Sequence, residues 1–226
     1  MTARTLRIAT AAALLAIAAA AGVWMLLRPA NLSPQQPNWA AACADVQAPT
    51  VAIPAHSDAE PRLRIPTPEG WQRSTMLDSE LIRYVVTKPA LRSGGFTPNV
   101  VVTLESVPGG RDPRSVLDDE RQELIRTGVG TNLAVTDQTL CGYPAQMVRY
   151  TAAAMGAIPP RPATVLTAAA DLGNRTYAVA VTIQTTDPDN PVYRHDAEEI
   201  LTGFQMLPPS GAPTSLRQSP QQRRVP

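Results

Sequence analysis

The sequence has few of the residues on which most catalytic and metal sites depend. It contains two histidines and two cysteines in 226 residues, and aromatic side chains make up 4% of it. It contains no nucleophile elbow, no zinc-protease motif, no P-loop and no dinucleotide-binding fingerprint. No catalytic residue, metal ligand or cofactor is therefore predicted, and the sequence argues against an enzyme.

The sequence also lacks an excess of charge of either sign. Its formal net charge is +1, and its basic residues are scattered rather than clustered on one segment. A protein that binds nucleic acid usually carries a basic patch, often with aromatic side chains that stack on bases. Nucleic acid is therefore not an expected partner.

One long uncharged run stands out near the N-terminus. No charged residue occurs from Ile8 to Leu27, whereas Arg4 and Arg7 precede the run and Arg28 follows it. A helix of about 20 residues covers the roughly 30 Å of a bilayer core, and basic residues before it favour a cytoplasmic N-terminus. We therefore expect residues 1–28 to be a signal or single-pass transmembrane anchor. The remainder would be extracytoplasmic, or secreted if the segment is cleaved.

The two cysteines, Cys43 and Cys141, both follow this run. In an oxidising compartment such a pair forms a disulfide more often than two free thiols, and this one would close a loop of about 100 residues. Two alternatives stay open. The cysteines could be unpaired small apolar residues, or Cys43 could carry a lipid, since Ala41 and Ala42 precede it as in a lipoprotein signal.

Two proline-rich segments flank the middle of the chain. Residues 29–60 are predicted to form an extended stalk, and residues 208–226 are predicted to be a disordered tail. Residues 61–207 remain between them, which is enough for one hydrophobic core. The sequence therefore predicts an anchor, a stalk, one folded domain and a tail.

Residues 61–207 alternate between strand and helix patterns. The predicted strands are 62–65, 81–87, 99–107, 132–140, 143–151, 163–171, 175–186 and 205–207. A first helix is predicted from Asp112 and Pro113 to Gly128, and a second over about 190–203. Short turns such as Gly173-Asn174 favour antiparallel pairing, so the pattern indicates an α+β domain with helices covering an antiparallel sheet. The two most apolar strands, 99–107 and 175–186, are expected near its centre.

A few charged residues are candidates for catalytic groups. His195 lies beside Asp196 and the acidic pair 198–199, and residues 118–120 form an acidic run. Neighbouring residues on a helix point apart, so a solvated helix face is the preferred interpretation. His56 lies in the expected stalk, where a fixed catalytic geometry is not expected.

Larger apolar side chains were assigned to the core. Trp71, after a proline-glycine turn, is predicted to anchor the core or a hairpin. Met147, Met155 and Met206 are predicted to fill gaps in the core rather than to form an adaptable binding surface.

Four short phrases carry a family resemblance. They are Pro68-Glu69-Gly70-Trp71, then Phe96-Thr97-Pro98-Asn99-Val100-Val101-Val102-Thr103-Leu104, then Leu140-Cys141-Gly142-Tyr143-Pro144-Ala145, and Ala197-Glu198-Glu199-Ile200-Leu201-Thr202-Gly203-Phe204. In this order, over roughly residues 60–207, they resemble the LpqN/LpqT family of mycobacterial cell-envelope lipoproteins. The resemblance implies a PsbP-like α/β/α sandwich and no established catalytic residues.

The anchor and the resemblance together lead to a functional expectation. The chain is expected to be a non-enzymatic, membrane-anchored protein of the cell envelope that binds an envelope lipid, a glycolipid or a partner protein. The alternative is an accessory or assembly factor beside a secretion or lipid-transport complex. The sequence assigns no ligand-binding residue.

Overall fold

A computed structural model describes residues 43–128 and 130–210 of the chain. The uncharged run 8–27, residues 29–42 of the expected stalk and the tail after Ser210 lie outside the described residues. Neither α-helix in the described part is long and apolar enough to cross a bilayer.

The described residues form ten strands, two α-helices and one short 3-10 helix. In chain order they are β1 (Thr50–Ile53), β2 (Arg62–Pro66), β3 (Gln72–Arg73), β4 (Ile82–Thr87), the 3-10 helix (Pro89–Leu91), β5 (Asn99–Pro108), α1 (Pro113–Arg126), β6 (Gly130–Leu140), β7 (Tyr143–Ala152), β8 (Arg161–Asp171), β9 (Arg175–Gln184), α2 (Pro191–Gly203) and β10 (Gln205–Leu207). The predicted α+β class is confirmed.

Seven strands form one large sheet in the order β3-β4-β5-β9-β8-β7-β6, and a smaller sheet has the order β1-β2-β10. Every pair of neighbours is antiparallel. The two most apolar strands, β5 and β9, lie side by side near the centre of the large sheet, as their sequences predicted. Gly173, with a φ of 95°, forms the tight turn between β8 and β9.

The two helices cover opposite faces of the large sheet. On one face, apolar side chains of the strands pack with α2 and the small sheet to form the main core, which includes Val86, Val102, Leu166, Val181, Tyr193, Ile200 and Met206. On the other face, Ala169 and Ala178 pack against Val116 and Leu117 of α1. Alternate side chains of β8 and β9 therefore face two different helices.

Both helices begin at residues that the sequence marks as caps. The side chain of Asp112 accepts a hydrogen bond from the backbone N–H of Arg114, and Pro113 is the first helical residue of α1. The side chain of Asn190 accepts from the N–H groups of Val192 and Tyr193 at the start of α2. Such caps satisfy donors that the first turn leaves unpaired.

Three boundaries and assignments differ from the sequence-based expectations. The folded domain begins before residue 61, because β1 (50–53) pairs with β2 and Cys43 is buried. Prolines 49 and 54 flank this four-residue strand and obscured it. At the other end, Pro208 is buried, and its carbonyl accepts a 3.0 Å hydrogen bond from Nε of Arg62. Met155 is exposed in the β7–β8 loop instead of filling the core.

Candidate functional site

A disulfide joins Cys43 to Cys141, with their Cα atoms 4.2 Å apart. Cys141 lies in the turn between β6 and β7, so the bond attaches the first described residue to one end of the large sheet. The sequence contains only these two cysteines. A sulfur that is bonded to another sulfur cannot also carry a lipid through a thioether, so the disulfide and lipidation of Cys43 are mutually exclusive.

The histidines and acidic residues that were candidates for catalytic groups do not lie together in the structure. His195 is exposed, with Nε2 4.0 Å from the Glu199 carboxylate, and Nδ1 of His56 lies 3.2 Å from Glu80. Within the acidic run 118–120, the first two residues are exposed and the third is half-buried. The described residues contain no group of three or more His, Cys, Asp or Glu side chains that could hold a metal ion.

Asp196 does not belong to the solvated face of α2 that its neighbours form. It is buried, and its Oδ2 accepts a 2.8 Å hydrogen bond from the indole Nε1 of Trp71 and another from Nζ of Lys88. Lys88 and Trp71 are buried as well. The three side chains satisfy one another away from water, which is the arrangement expected of a structural clamp between α2 and the large sheet.

A second ion pair, between the buried Arg83 and the half-buried Glu60, lies at a cleft of about 500 Å³ between the loop after β1 and the β3–β4 hairpin; Arg83 lines this cleft. The guanidinium of Arg83 contacts both oxygens of Glu60, at 3.1 and 2.6 Å. Burial alone would raise the pKa of Glu60, but hydrogen bonds from Arg83 and the backbone of His56 outweigh it and lower the pKa. Two further ion pairs, Arg73–Asp78 and His56–Glu80, border the same cleft. The charges of the cleft therefore neutralise each other.

A groove of different character lies between the second half of α1 and the large sheet. Its volume is about 270 Å³, and its floor and walls include Leu124, Val148, Tyr150, Val165 and Ala180. Val148, Val165 and Thr182 are cross-strand partners on β7, β8 and β9, so they form one row beneath the helix. Hydroxyl and charged groups lie around this apolar floor; they belong to Thr127, Thr167, Thr182, Glu120, Arg121 and Glu123.

The sequence of α1 explains why a groove exists under only half of the helix. Val116 and Leu117 are buried against alanines of β8 and β9, so the first turns approach the sheet closely. The next positions on the same stripe are Glu120 and Arg121, and apolar residues return only at Leu124. Charged side chains cannot pack onto the strands as leucine would, because their desolvation is costly. The second half of the helix therefore does not close over the sheet.

Glu120 is a titratable group at this groove whose pKa is shifted. Burial raises its pKa above the ordinary value of 4.5, and the nearby carboxylates of Glu105, Glu123 and Asp119 raise it further. Glu120 also lines a small adjoining pocket with Glu105, Thr103 and Thr167. It is therefore a carboxyl group at the groove whose proton is more strongly held than usual.

The profile of a protein family described as probable lipoprotein LpqN matches residues 44–207. The chain belongs to the LpqN lipoprotein family. The resemblance predicted from four short phrases is therefore confirmed. The match carries no catalytic residue to this chain, and a comparison with curated protein sequences finds no match.

Comparison with solved structures finds the same fold in a protein of this name. LpqN of Mycobacterium tuberculosis, described as involved in cell envelope biogenesis, aligns with a TM-score of 0.57 and 16% identity, over 71% of this chain and 91% of that one. The Ran-binding protein Mog1p of Saccharomyces cerevisiae aligns with a TM-score of 0.44 and 10% identity, over 75% and 99% of the two chains.

Sequence reasoning missed both the groove and the buried clamp. The groove had one local signal, the charged residues Glu120 and Arg121 on the inward stripe of α1. The clamp had no local signal in the sequence of α2. Asp196 is surrounded there by solvated charged residues, and its partners Trp71 and Lys88 lie more than a hundred positions away in the sequence. Trp71 and the 197–204 phrase both carry the LpqN resemblance, and Asp196 immediately precedes that phrase.

Proposed function

We propose that this LpqN-family domain is a non-catalytic protein of the cell envelope that holds an apolar segment of an envelope lipid or glycolipid in the groove beneath α1. The groove itself is the observation that carries the proposal. It combines an apolar floor of valines, a leucine and an alanine with hydroxyl and carboxyl groups at its border. Ligand sites typically have this composition, with mostly apolar walls and a few polar groups that orient the ligand.

The size of the groove fits part of a ligand rather than all of one. Sites that enclose a whole drug-sized molecule have volumes of about 300–1,000 Å³, whereas this groove has about 270 Å³. An alkyl segment would occupy the floor, and a polar head would meet Glu120, Arg121 and the threonine hydroxyls. The larger cleft near Arg83 is the weaker candidate for a lipid, because paired charges surround it.

The membrane attachment in this proposal is the N-terminal uncharged run rather than a lipid on Cys43. Cys43 supports this assignment because its sulfur is bonded to Cys141. The run 8–27 supports it because of its length and its flanking arginines. The domain would then act on the extracytoplasmic side of the membrane.

Native mass spectrometry with lipid extraction tests both the proposed anchor and the proposed lipid ligand. The sample is the full-length protein purified from its own membranes. We expect an N-terminus that is intact, a Cys43 without acyl groups, and a co-purifying lipid. An acylated Cys43 would contradict the proposed anchor. A stably bound protein in place of a lipid would contradict the proposed ligand and favour an accessory role beside a membrane complex.

Three variants test whether the lipid lies in the groove. Ala180→Phe places an aromatic ring on the floor of the groove, whereas Ala134→Phe places the same ring on the exposed face of β6. The first variant should lose the co-purified lipid and the second should retain it. Because Ala180→Phe could disturb packing, Leu124→Ser is the milder companion and should reduce the lipid without unfolding the domain, as checked by circular dichroism. Equal lipid content in all four proteins would place the lipid elsewhere.

A further inference from the structure

Exposed large apolar side chains concentrate in one short loop of the domain. Met76 is 89% exposed, Leu77 52% and Leu81 43%. All three lie in residues 75–81, between β3 and β4, which we name the apolar loop. Single exposed apolar residues are common on protein surfaces, but several within seven positions indicate an interaction site.

Specific hydrogen bonds hold the apolar loop in one conformation. The guanidinium of Arg73 contacts both carboxylate oxygens of Asp78 at 2.7 Å, and the N–H of Asp78 donates to the carbonyl of Thr75. At the C-terminal end of the loop, Ser79 N–H donates to the carbonyl of Ile82, and Ile82 N–H donates to Oγ of Ser79. Met76 and Leu77 are therefore presented to solvent by an ordered framework, which lowers the entropic cost of binding.

The apolar loop projects toward the end of the large sheet that carries the disulfide, although the two lie at opposite edges of that sheet. Strand register gives the direction of the loop: Ile82 at the start of β4 pairs with Thr103 in the middle of β5, so the β3–β4 loop projects toward the C-terminal end of β5, where Pro108 pairs with Arg175 at the start of β9. Continuing across the sheet, β8 ends and β7 begins at this same end, where Cys141 forms the β6–β7 turn. The apolar loop and the turn to which Cys43 is bonded thus project in the same direction along the strands.

We propose that this end of the domain faces the membrane and that the apolar loop inserts Met76 and Leu77 into the interfacial layer of a lipid bilayer. The inference rests on the N-terminal anchor of the proposed function. Residues 28–42 separate the uncharged run from Cys43, and the disulfide fixes Cys43 to the end toward which the loop projects. The chain that leaves the proposed anchor therefore enters the domain at the disulfide.

The charges around the apolar loop are paired, so apolar contacts would be its main attraction to a bilayer. Arg73 neutralises Asp78, and Glu80 has His56 3.2 Å away, so little positive charge remains to attract anionic lipids. Asp78 and Glu80 would stay among the headgroups while Met76 and Leu77 enter deeper. Insertion of this kind depends on buried apolar area and does not require anionic lipid.

Two methionines at opposite ends of the sheet provide a matched test. Met76 lies in the apolar loop, and Met155, which is 60% exposed, lies in the β7–β8 loop at the far end. Because the native cysteines are bonded to each other, Met76→Cys and Met155→Cys each introduce one reactive thiol. Each full-length variant is labelled with the environment-sensitive dye NBD, reconstituted into phosphatidylcholine bilayers, and titrated with brominated phosphatidylcholine.

The dye at position 76 should show a blue-shifted emission and severalfold stronger quenching by brominated lipid than the dye at position 155. Adding phosphatidylglycerol should leave this difference unchanged, and Leu77→Ser in the Met76→Cys protein should reduce it. Equal, weak quenching at both positions in protein that floats with the vesicles would overturn the inference while leaving the anchor intact. Protein that does not float would overturn the anchor together with it. Protection of position 76 from aqueous iodide without lipid quenching would point to a protein contact and also overturn the inference.

Discussion

One carboxylate oxygen can couple three buried side chains when it accepts hydrogen bonds from both an ammonium and an indole N–H. Asp196 is this acceptor, and Lys88 and Trp71 are the donors. Both donors lose their partner if the carboxylate of Asp196 is removed. A buried ion pair contributes little compared with well-packed apolar residues, but breaking it on one side leaves an uncompensated charge. The consequence of a substitution therefore depends on which of the three side chains change together.

Asp196→Ala should lower the free energy of unfolding by about 3–5 kcal/mol, because it leaves the Lys88 ammonium buried and unpaired. Trp71→Phe should cost less, about 1–3 kcal/mol, since it removes one hydrogen bond to the carboxylate. The double variant Lys88→Met with Asp196→Leu should recover much of the loss. Urea denaturation of each variant measures these values, and a double variant as unstable as Asp196→Ala would contradict the clamp.

Glu120 provides a prediction about pH. Its pKa is raised in the folded protein, so folding favours its protonated form. This contribution to stability is fully present below the ordinary pKa of 4.5 and is lost as the pH rises through the folded-state pKa. Glu120→Gln should therefore be more stable than the native protein at neutral pH, and the difference should shrink in acid.

Denaturation at pH 7 and at a pH of about 4 measures the Glu120 effect by linkage. Glu198→Gln, at an exposed position of α2, controls for the loss of one negative charge. A Glu120→Gln variant that is less stable than the native protein at neutral pH would mean that the carboxylate has a favourable partner at the groove.

At the scale of elements, α1 is a helix with an incomplete apolar stripe. Glu120→Leu would continue the stripe from Val116 and Leu117 to Leu124, so the second half of the helix should pack onto the sheet. We expect a gain in the free energy of unfolding of about 1 kcal/mol, from burial of a leucine side chain in place of a carboxylate. The same change should close the groove and reduce co-purified lipid.

Gln122→Leu is the matched control for this change, because position 122 is exposed and does not line the groove. It should leave the lipid content of the purified protein unaltered. Denaturation curves and lipid extraction of both variants provide the comparison. Retention of lipid by a stabilised Glu120→Leu protein would place the ligand outside the groove.

The elements themselves were largely predictable, because their signals are local. Asp112-Pro113 and Asn190-Pro191 are helix starts that depend only on neighbouring backbone groups. Alternation and turn residues similarly indicated the long strands. β1 was missed because Pro49 and Pro54 flank it and made it look like part of the stalk. β3 was missed because a strand of two residues shows no periodicity.

At the scale of the molecule, the disulfide controls how the N-terminal segment is attached. Cys43 and Cys141 are 98 positions apart in the sequence, and cross-linking a loop of about 100 residues removes about 4–5 kcal/mol of unfolded-chain entropy in the simplest model. Cys43→Ser and Cys141→Ser should each lower the free energy of unfolding by up to this amount. Denaturation of the native protein with and without a reductant should show a loss of the same size, and no change on reduction would contradict the bond.

Local patterns in the sequence determined the class of the domain, the order of its long elements and its family, because each depends on neighbouring residues or on short phrases. Tertiary structure alone decided where the functional surfaces lie. The clamp joins residues 71, 88 and 196, the groove joins one helix to three strands, and strand register directs the apolar loop toward the end that carries Cys141. These three features could not be predicted from the sequence for the same physical reason. Side chains that are distant in the chain become neighbours only when the strands pair, and no local periodicity indicates that pairing.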